Sequence, residues 1–235
     1  MNEKINKIKK LAEKLGFNFN KPDIFENSFV HRSYLNENAN FHLGNNERLE
    51  FLGDAVLELV VTEYLYSKFE EKSEGELTSI RSALVRGDNL SKIGKELGIE
   101  ECIYLSTGEK NGSAKAKSLI IANCLEAIIG AAYIDLGYEQ VKKFIEKRII
   151  SVSINEIMHD KLYIDAKSEF QETIQDRYKI TPSYRVLSEE GPDHNKKFIS
   201  AVYIKDKEAA RGAGSSKSRS EEEAAKAALK IIDQL

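Results

Sequence analysis

Hydrophobic periodicity changes character once along this 235-residue chain, and that change sets the architecture. Up to Met158 the apolar residues recur at three- and four-residue spacings; beyond it, short stretches alternate. Helical spacing covers 3–15, where Ile5, Ile8, Leu11 and Leu15 share a face and Gly16 ends the run. It recurs near 24–30 behind Pro22, then over 47–69, 76–86, 88–97, 118–135 and 138–154. The segment 36–46 is too rich in Asn for an element interior and reads as a loop. After Met158, DAKSEFQETIQDRY (165–178) is an amphipathic helix carrying Phe170 and Ile174. Pro182 opens a strand, SYRVLSEE, with Tyr184, Val186 and Ser188 on one face. KKFISAVYIK follows with Phe198 and Val202, then a third strand over 207–212 and an Ala-rich helix. The expected fold is an all-α N-terminal domain (1–156), a linker (157–163) and a compact α+β domain (164–235) in the order α-β-β-β-α.

Composition narrows the class. With 41% hydrophobic residues the chain can build a core, and 14 Gly with 3 Pro exclude a collagen-like or low-complexity polymer. The longest apolar run, Leu119 to Ile134, is interrupted by Asn123 and Glu126, so no membrane partner is expected. The N-terminus has lysines but no apolar core or small-residue cleavage site, and Cys102 and Cys124 make no disulfide framework. A cytoplasmic protein is expected. TGEKNGSAKAKS (107–118) lacks the Gly-Lys-Ser/Thr ending of a phosphate loop, so no nucleotide cofactor is expected. Net charge is −3, but residues 196–219 carry seven basic residues against two acidic, a local cationic segment suited to phosphate.

On periodicity alone the helix beginning at Glu47 reads as a plain amphipathic helix with a solvated acidic face; its charge pattern also admits a cation site. At 100° per residue Glu50, Asp54 and Glu58 fall in one narrow stripe, with Leu52, Ala55, Val56, Leu59 and Val60 on the opposite arc. Like charges at i,i+4 cost ~0.2–0.5 kcal/mol per pair. No basic residue in the stripe offsets that cost, whereas a hard cation would reverse it. A second helix places Glu126 among Leu125, Ala127, Ile128 and Ile129, where a carboxylate is expensive unless paired or metal-bound, with Asn123 one turn earlier. No His lies at ligand spacing, so a zinc site is not expected.

HRSYLNENANFHLGNNERLEFLGDAVLELVVTEYLY resembles the signature region of bacterial ribonuclease III, most specifically through NERLEFLGD (46–54). EGELTSIRSALVRGDNLSKIG and LEAIIGAAYIDLG continue the likeness, and the C-terminal segment resembles a double-stranded RNA-binding domain. The resemblance implies an all-α endonuclease domain joined to an α+β RNA-binding domain. The implied protein is a homodimer that cuts duplex RNA to 5′-phosphate and 3′-hydroxyl ends with short 3′ overhangs, processing ribosomal RNA precursors and structured messenger RNA. By motif position it implies Mg2+, with Mn2+ able to substitute, held by Glu50, Asp54, Asn123 and Glu126, of which Asp54 and Glu126 are catalytic. Glu47 and Glu74 match supporting acidic positions, and Phe51 an aromatic that packs across the dimer or, equally, within its own chain. Lys167, Ser168, Gln171 and Glu172 match the RNA-binding face of the first helix of the C-terminal domain. His194 and Lys196 lie in its loop, and Lys217 and Arg219 at the start of its last helix, with Ser218 where a second lysine is usual. The family's second metal motif is Asp-x-x-Glu; here it is Asn123-Cys124-Leu125-Glu126. A cleavage-impaired chain that binds duplex RNA without efficient cutting is therefore the alternative.

Overall fold

The structure, a computed structural model, describes residues 2–159, 163, 166–192 and 196–232. They form two compact units, Met1–Tyr163 and Ile164–Leu235. In the first, α1 (Asn2–Leu15) buries Ile8, Leu11 and Leu15 and stops at Gly16, whose φ of +82° few other residues accept. Pro22 opens α2 (Pro22–Asn27), and the His31 ring caps α3 (Arg32–Glu37) by accepting from the Ser33 amide. Then come α4 (Glu47–Lys68), α5 (Glu74–Val85), α6 (Gly87–Leu97), a 3₁₀ turn (Ile99–Cys102), α7 (Thr107–Lys110) and α8 (Ala114–Leu136). The unit ends with α9 (Tyr138–Ile145), which passes through a π-turn (Glu146–Ile150) into α10 (Ser151–His159).

Boundaries depart from the periodicity where capping decides. Helix α5 starts at Glu74 rather than 76 because Ser73 and Glu76 form a reciprocal capping box. Helix α8 starts at Ala114 rather than 118 because the Ser113 hydroxyl accepts from the Ala116 amide. Helices α3 and α7, of six and four residues, are too short to show a period. Helix α10 carries regular structure to His159, into the segment read as linker.

The two longest helices, α4 and α8, form the centre of the unit. They touch through glycine: a Cβ on Gly53 would lie 1.8 Å from the Glu126 carbonyl oxygen, and one on Gly130 2.2 Å from that of Leu49. Only hydrogen at both positions lets the backbones approach this closely. Helix α8 is long and apolar enough to cross a bilayer, but its Ile121, Leu125, Ile128 and Ile129 are buried in the core with Leu57, Val61 and Leu84. On α4 the buried side overlaps the expected arc only in part: Val56 and Val60 are buried and Leu52 half-buried, as expected. Leu57, Val61 and Leu65 are buried beside the acidic stripe, while Ala55 and Leu59, read as core, are exposed.

The second unit packs α11 (Ala166–Tyr178) and α12 (Lys217–Lys230) against an antiparallel sheet ordered β1 (Ser183–Glu190), β2 (Lys197–Ile204), β3 (Lys207–Gly214). Phe170, Ile174, Val202, Ala224, Ala225 and Ala228 form its core. The small residues have a purpose: a Cβ on Gly212 would lie 2.1 Å from the Ala224 amide nitrogen, so β3 lies directly against α12. In β1 a bulge between Val186 and Ser188 turns Ser188 off the face of Tyr184, and Val186 is exposed, so the expected three-residue face ends early.

Candidate active site

The glycine crossing brings Glu50 and Asp54 of α4 to Asn123 and Glu126 of α8. Asn123 Nδ2 donates to Glu50 Oε1 at 2.9 Å. Burial raises the Glu50 carboxyl above its ordinary range, Asn123 opposes the shift, and Glu47 and Asp54 add to it. Glu126 is pushed further, up to about 8, by burial first and then by Asp54 and Glu50. Among the described residues no hydrogen bond or ion pair reaches its carboxylate. Two half-buried carboxylates and an exposed one therefore share a site with no basic side chain among the groups that shift them, the electrostatic condition a divalent ion relieves. The donor set is oxygen only, which suits a hard cation rather than zinc. As the side chains stand, no three His, Cys, Asp or Glu groups among the described residues converge closely enough to hold an ion. Asn123 occupies the fourth position with an amide, and Asp54 is turned to solvent.

The other acidic positions separate. Glu47 lies 3.6 Å from the Arg32 guanidinium and accepts from Asn45 Nδ2, so it borders the site already partnered. Glu74 accepts from Thr78 Oγ1 and lines a cavity with Thr62 and Tyr66. Thr62 is eight residues beyond Asp54, ~12 Å along α4, so one chain does not bring Glu74 to the cluster. Phe51 is 82% exposed, which excludes burial within its own chain. Leu59 (51% exposed) and Tyr66 (74%) continue the same stripe, within about 80° of Phe51 on the helix. His31 is structural, capping α3, and Cys124 is fully buried with its thiol donating to the Ser28 carbonyl.

Two features escape a reading of the sequence: the Gly53–Gly130 contact and the exposed apolar stripe. The first has a signal, since glycine inside a strong helix pattern marks close approach. The second has one too, because α4 carries more large apolar residues than one face can bury.

In the second unit Ser168, Gln171 and Glu172 are exposed together on α11, opposite Ala166, Phe170 and Ile174. Lys167 is tied back: its ammonium lies 2.6 Å from Glu221 of α12 and 4.8 Å from the Tyr184 ring centroid. Lys196 pairs with Glu189 at 2.7 Å. His194 lies outside the described residues. Lys217 and Arg219 are exposed on the first turn of α12, where Ser216 caps the helix by accepting from the Arg219 amide. Free amides beside two cations give this terminus the donors and charge that a phosphate would need. Gly214 makes the position possible, since a Cβ there would lie 2.6 Å from the Ser220 amide nitrogen.

Comparison with known proteins agrees with both units. Residues 21–152 match the family described as Ribonuclease-III-like, and residues 166–232 match the double-stranded RNA binding motif. The chain belongs to the ribonuclease III family. It is 40% identical to Ribonuclease 3 of Enterococcus faecalis over 95% of this chain and 96% of that protein. It is 37% identical to that of Nitratiruptor sp. over 97% and 98%. The nuclease domain of ribonuclease III from Campylobacter jejuni superposes with a TM-score of 0.56 at 39% identity, covering 61% of this chain and 96% of that domain. The chain is thus an endoribonuclease of the class that acts on double-stranded RNA, with a helical nuclease unit and an α-β-β-β-α RNA-binding unit.

Proposed function

We propose that this ribonuclease III is a homodimer that hydrolyses both strands of duplex RNA at a divalent-metal centre formed by Glu50, Asp54, Asn123 and Glu126. Asp54 and Glu126 are its catalytic carboxylates, and Mg2+ is the ion, with Mn2+ able to substitute. One observation carries the reading: the Gly53–Gly130 crossing sets Glu50 and Asp54 against Glu126, with no basic side chain among the groups that shift its carboxyl. When bound, the ion supplies positive charge to the scissile phosphate and acidity to an attacking water. The chain's own groups prepare for this. Asn123 fixes the Glu50 carboxylate through its amide, and Asp54 is the carboxylate open to an arriving strand. Glu126 holds its proton to about pH 8 and sheds it for an ion to enter. Water adds to phosphorus and the bond to the 3′ oxygen breaks, leaving a 5′ phosphate and a 3′ hydroxyl with short 3′ overhangs.

Dimerisation is supported by the exposed Phe51, Leu59 and Tyr66 stripe and by a cavity of about 450 Å³ beside Tyr66. The Campylobacter nuclease domain has itself been described for a region involved in dimer formation. Duplex RNA is held by the exposed face of α11 and the start of α12, with His194 and Lys196 in the intervening loop. Such a surface meets phosphates and 2′-hydroxyls across two minor grooves rather than base edges. Ribosomal RNA precursors and structured messenger RNA in the cytoplasm are the proposed substrates. The reading in which Asn123 leaves a chain that binds without cutting has no support from the relatives. The test is cleavage of a long, fully paired RNA in Mg2+, Mn2+ or chelator. Cutting in either metal alone supports the reading, and no cutting in any condition, including after Asn123→Asp, overturns it.

A further inference from the structure

A second concave site lies on the far side of α8 from the acidic cluster. A cavity of about 180 Å³ opens between α1, the 3₁₀ turn, α7 and the start of α8. Lys4, Lys110 and Lys117 line it, over an apolar floor that includes Leu105 and Ile120. Glu100 is the one carboxylate in the lining, so three cations face one anion. The Lys4 ammonium donates to the carbonyls of Glu101 (3.0 Å) and Ile103 (2.8 Å), which occupies two of its three hydrogens. Burial and the nearby Lys110 hold the Lys4 ammonium below its ordinary range. Among the described residues neither the Lys110 nor the Lys117 ammonium has a hydrogen bond or ion pair. Like charges gathered around a desolvated hollow repel one another unless an anion joins them.

We propose that this cavity binds a phosphate group, with Lys110, Lys117 and the third hydrogen of Lys4 as its donors. The three ammonium groups supply charge-assisted donors, and the apolar floor suits a small body attached to the phosphate. The phosphate belongs to a free compound rather than to the RNA being cut. At 100° per residue, Glu126 points about 180° from Lys117 on α8, and Asn123 bonds to α4 rather than towards α1. On α8 the cavity's Lys117 and the cluster's Glu126 therefore face opposite ways. The inference rests on the first unit's geometry and on the reading of where RNA is cut.

The experiment uses the full chain, titrated with inorganic phosphate against chloride at matched ionic strength and followed by thermal shift and by amide NMR. Saturable stabilisation is expected for the native chain and for Glu126→Gln. In Lys110→Gln/Lys117→Gln, phosphate affinity falls about tenfold or more. In parallel, the salt dependence of duplex-RNA binding is compared between the native chain and the lysine variant. An unchanged slope identifies a free phosphate compound as the ligand. A slope lower by about 1 per lysine assigns the cavity to the RNA backbone and overturns the free-ligand proposal. No stabilisation beyond chloride, or equal affinity in the lysine variant, also overturns it. Duplex cleavage by the same native preparation separates these results from a failure of the nuclease reading.

Discussion

Replacing Glu126 with Gln should stabilise the metal-free protein above pH 8 and abolish its stabilisation by magnesium. The Glu126 carboxyl titrates at about 8 in the folded chain against an ordinary 4.5. The difference, at ~1.36 kcal/mol per unit, sets a ceiling of ~5 kcal/mol on the cost of ionising it in place. The side chain is partly open to water, which screens the repulsion, so ~2–3 kcal/mol is the working figure. The sign follows from proton linkage. Between pH 4.5 and 8 the folded chain keeps a proton that the unfolded chain has released, so stability falls as pH rises through this window. Gln, neutral at every pH, avoids that fall. Calorimetry in chelator should therefore find the two proteins alike near pH 5 and the variant higher in Tm by roughly 5–10 °C at pH 9. Magnesium at ~100 times its Kd should return ~2.7 kcal/mol to the native chain and nothing comparable to the variant. If the Glu126→Gln variant is no more stable than the native chain at pH 9 in chelator, Glu126 ionises without cost and the electrostatic argument for a cation is wrong.

Asn123→Asp adds a charge and removes the donor that holds Glu50; it should destabilise the metal-free chain by ~1–3 kcal/mol at pH 8 and lower the half-saturating magnesium concentration, both readable by thermal titration. Gly53→Ala drives a methyl into the Glu126 carbonyl, so α4 and α8 must separate; a loss above ~3 kcal/mol is expected by denaturant titration, and a loss under ~1 would show the crossing to be looser than described. Phe51→Ala should leave the fold of a single chain intact, because the ring is 82% exposed, yet shift sedimentation towards monomer. Lys217→Gln with Arg219→Gln should weaken binding to all duplex RNA alike and reduce the salt slope by about 2, with thermal stability unchanged.

Long elements are legible in the sequence because periodicity integrates over many residues. Helices α4, α6 and α8 and the α-β-β-β-α order of the second unit follow from it. Short α3 and α7 are not, since one turn has no period, and the early starts of α5 and α8 depend on Ser73 and Ser113 as caps. At the site, the Glu50–Asp54 stripe and the cost of Glu126 in an apolar run are visible in the residues themselves, whereas their meeting is implied only by the family resemblance. That fact depends on the Gly53–Gly130 contact, a tertiary event. The wheel places Val56 and Val60 in the core correctly, but not that burial extends to Leu57, Val61 and Leu65 and leaves Leu59 exposed. The position of Glu74 shows the converse: the family resemblance gives it a supporting role, while within one chain it lies beside Thr62, itself ~12 Å along α4 from Asp54.

The most direct measurement is the cleavage rate of an end-labelled RNA duplex by the native chain and by Glu126→Gln, in magnesium and in chelator, alongside the affinity of each for the uncut duplex. The account predicts cutting by the native chain in magnesium alone. It predicts a rate lower by about a hundredfold or more for Glu126→Gln, with RNA affinity retained through the second unit. Cutting in chelator, or equal rates for the two proteins in magnesium, would contradict a metal centre at the α4–α8 crossing.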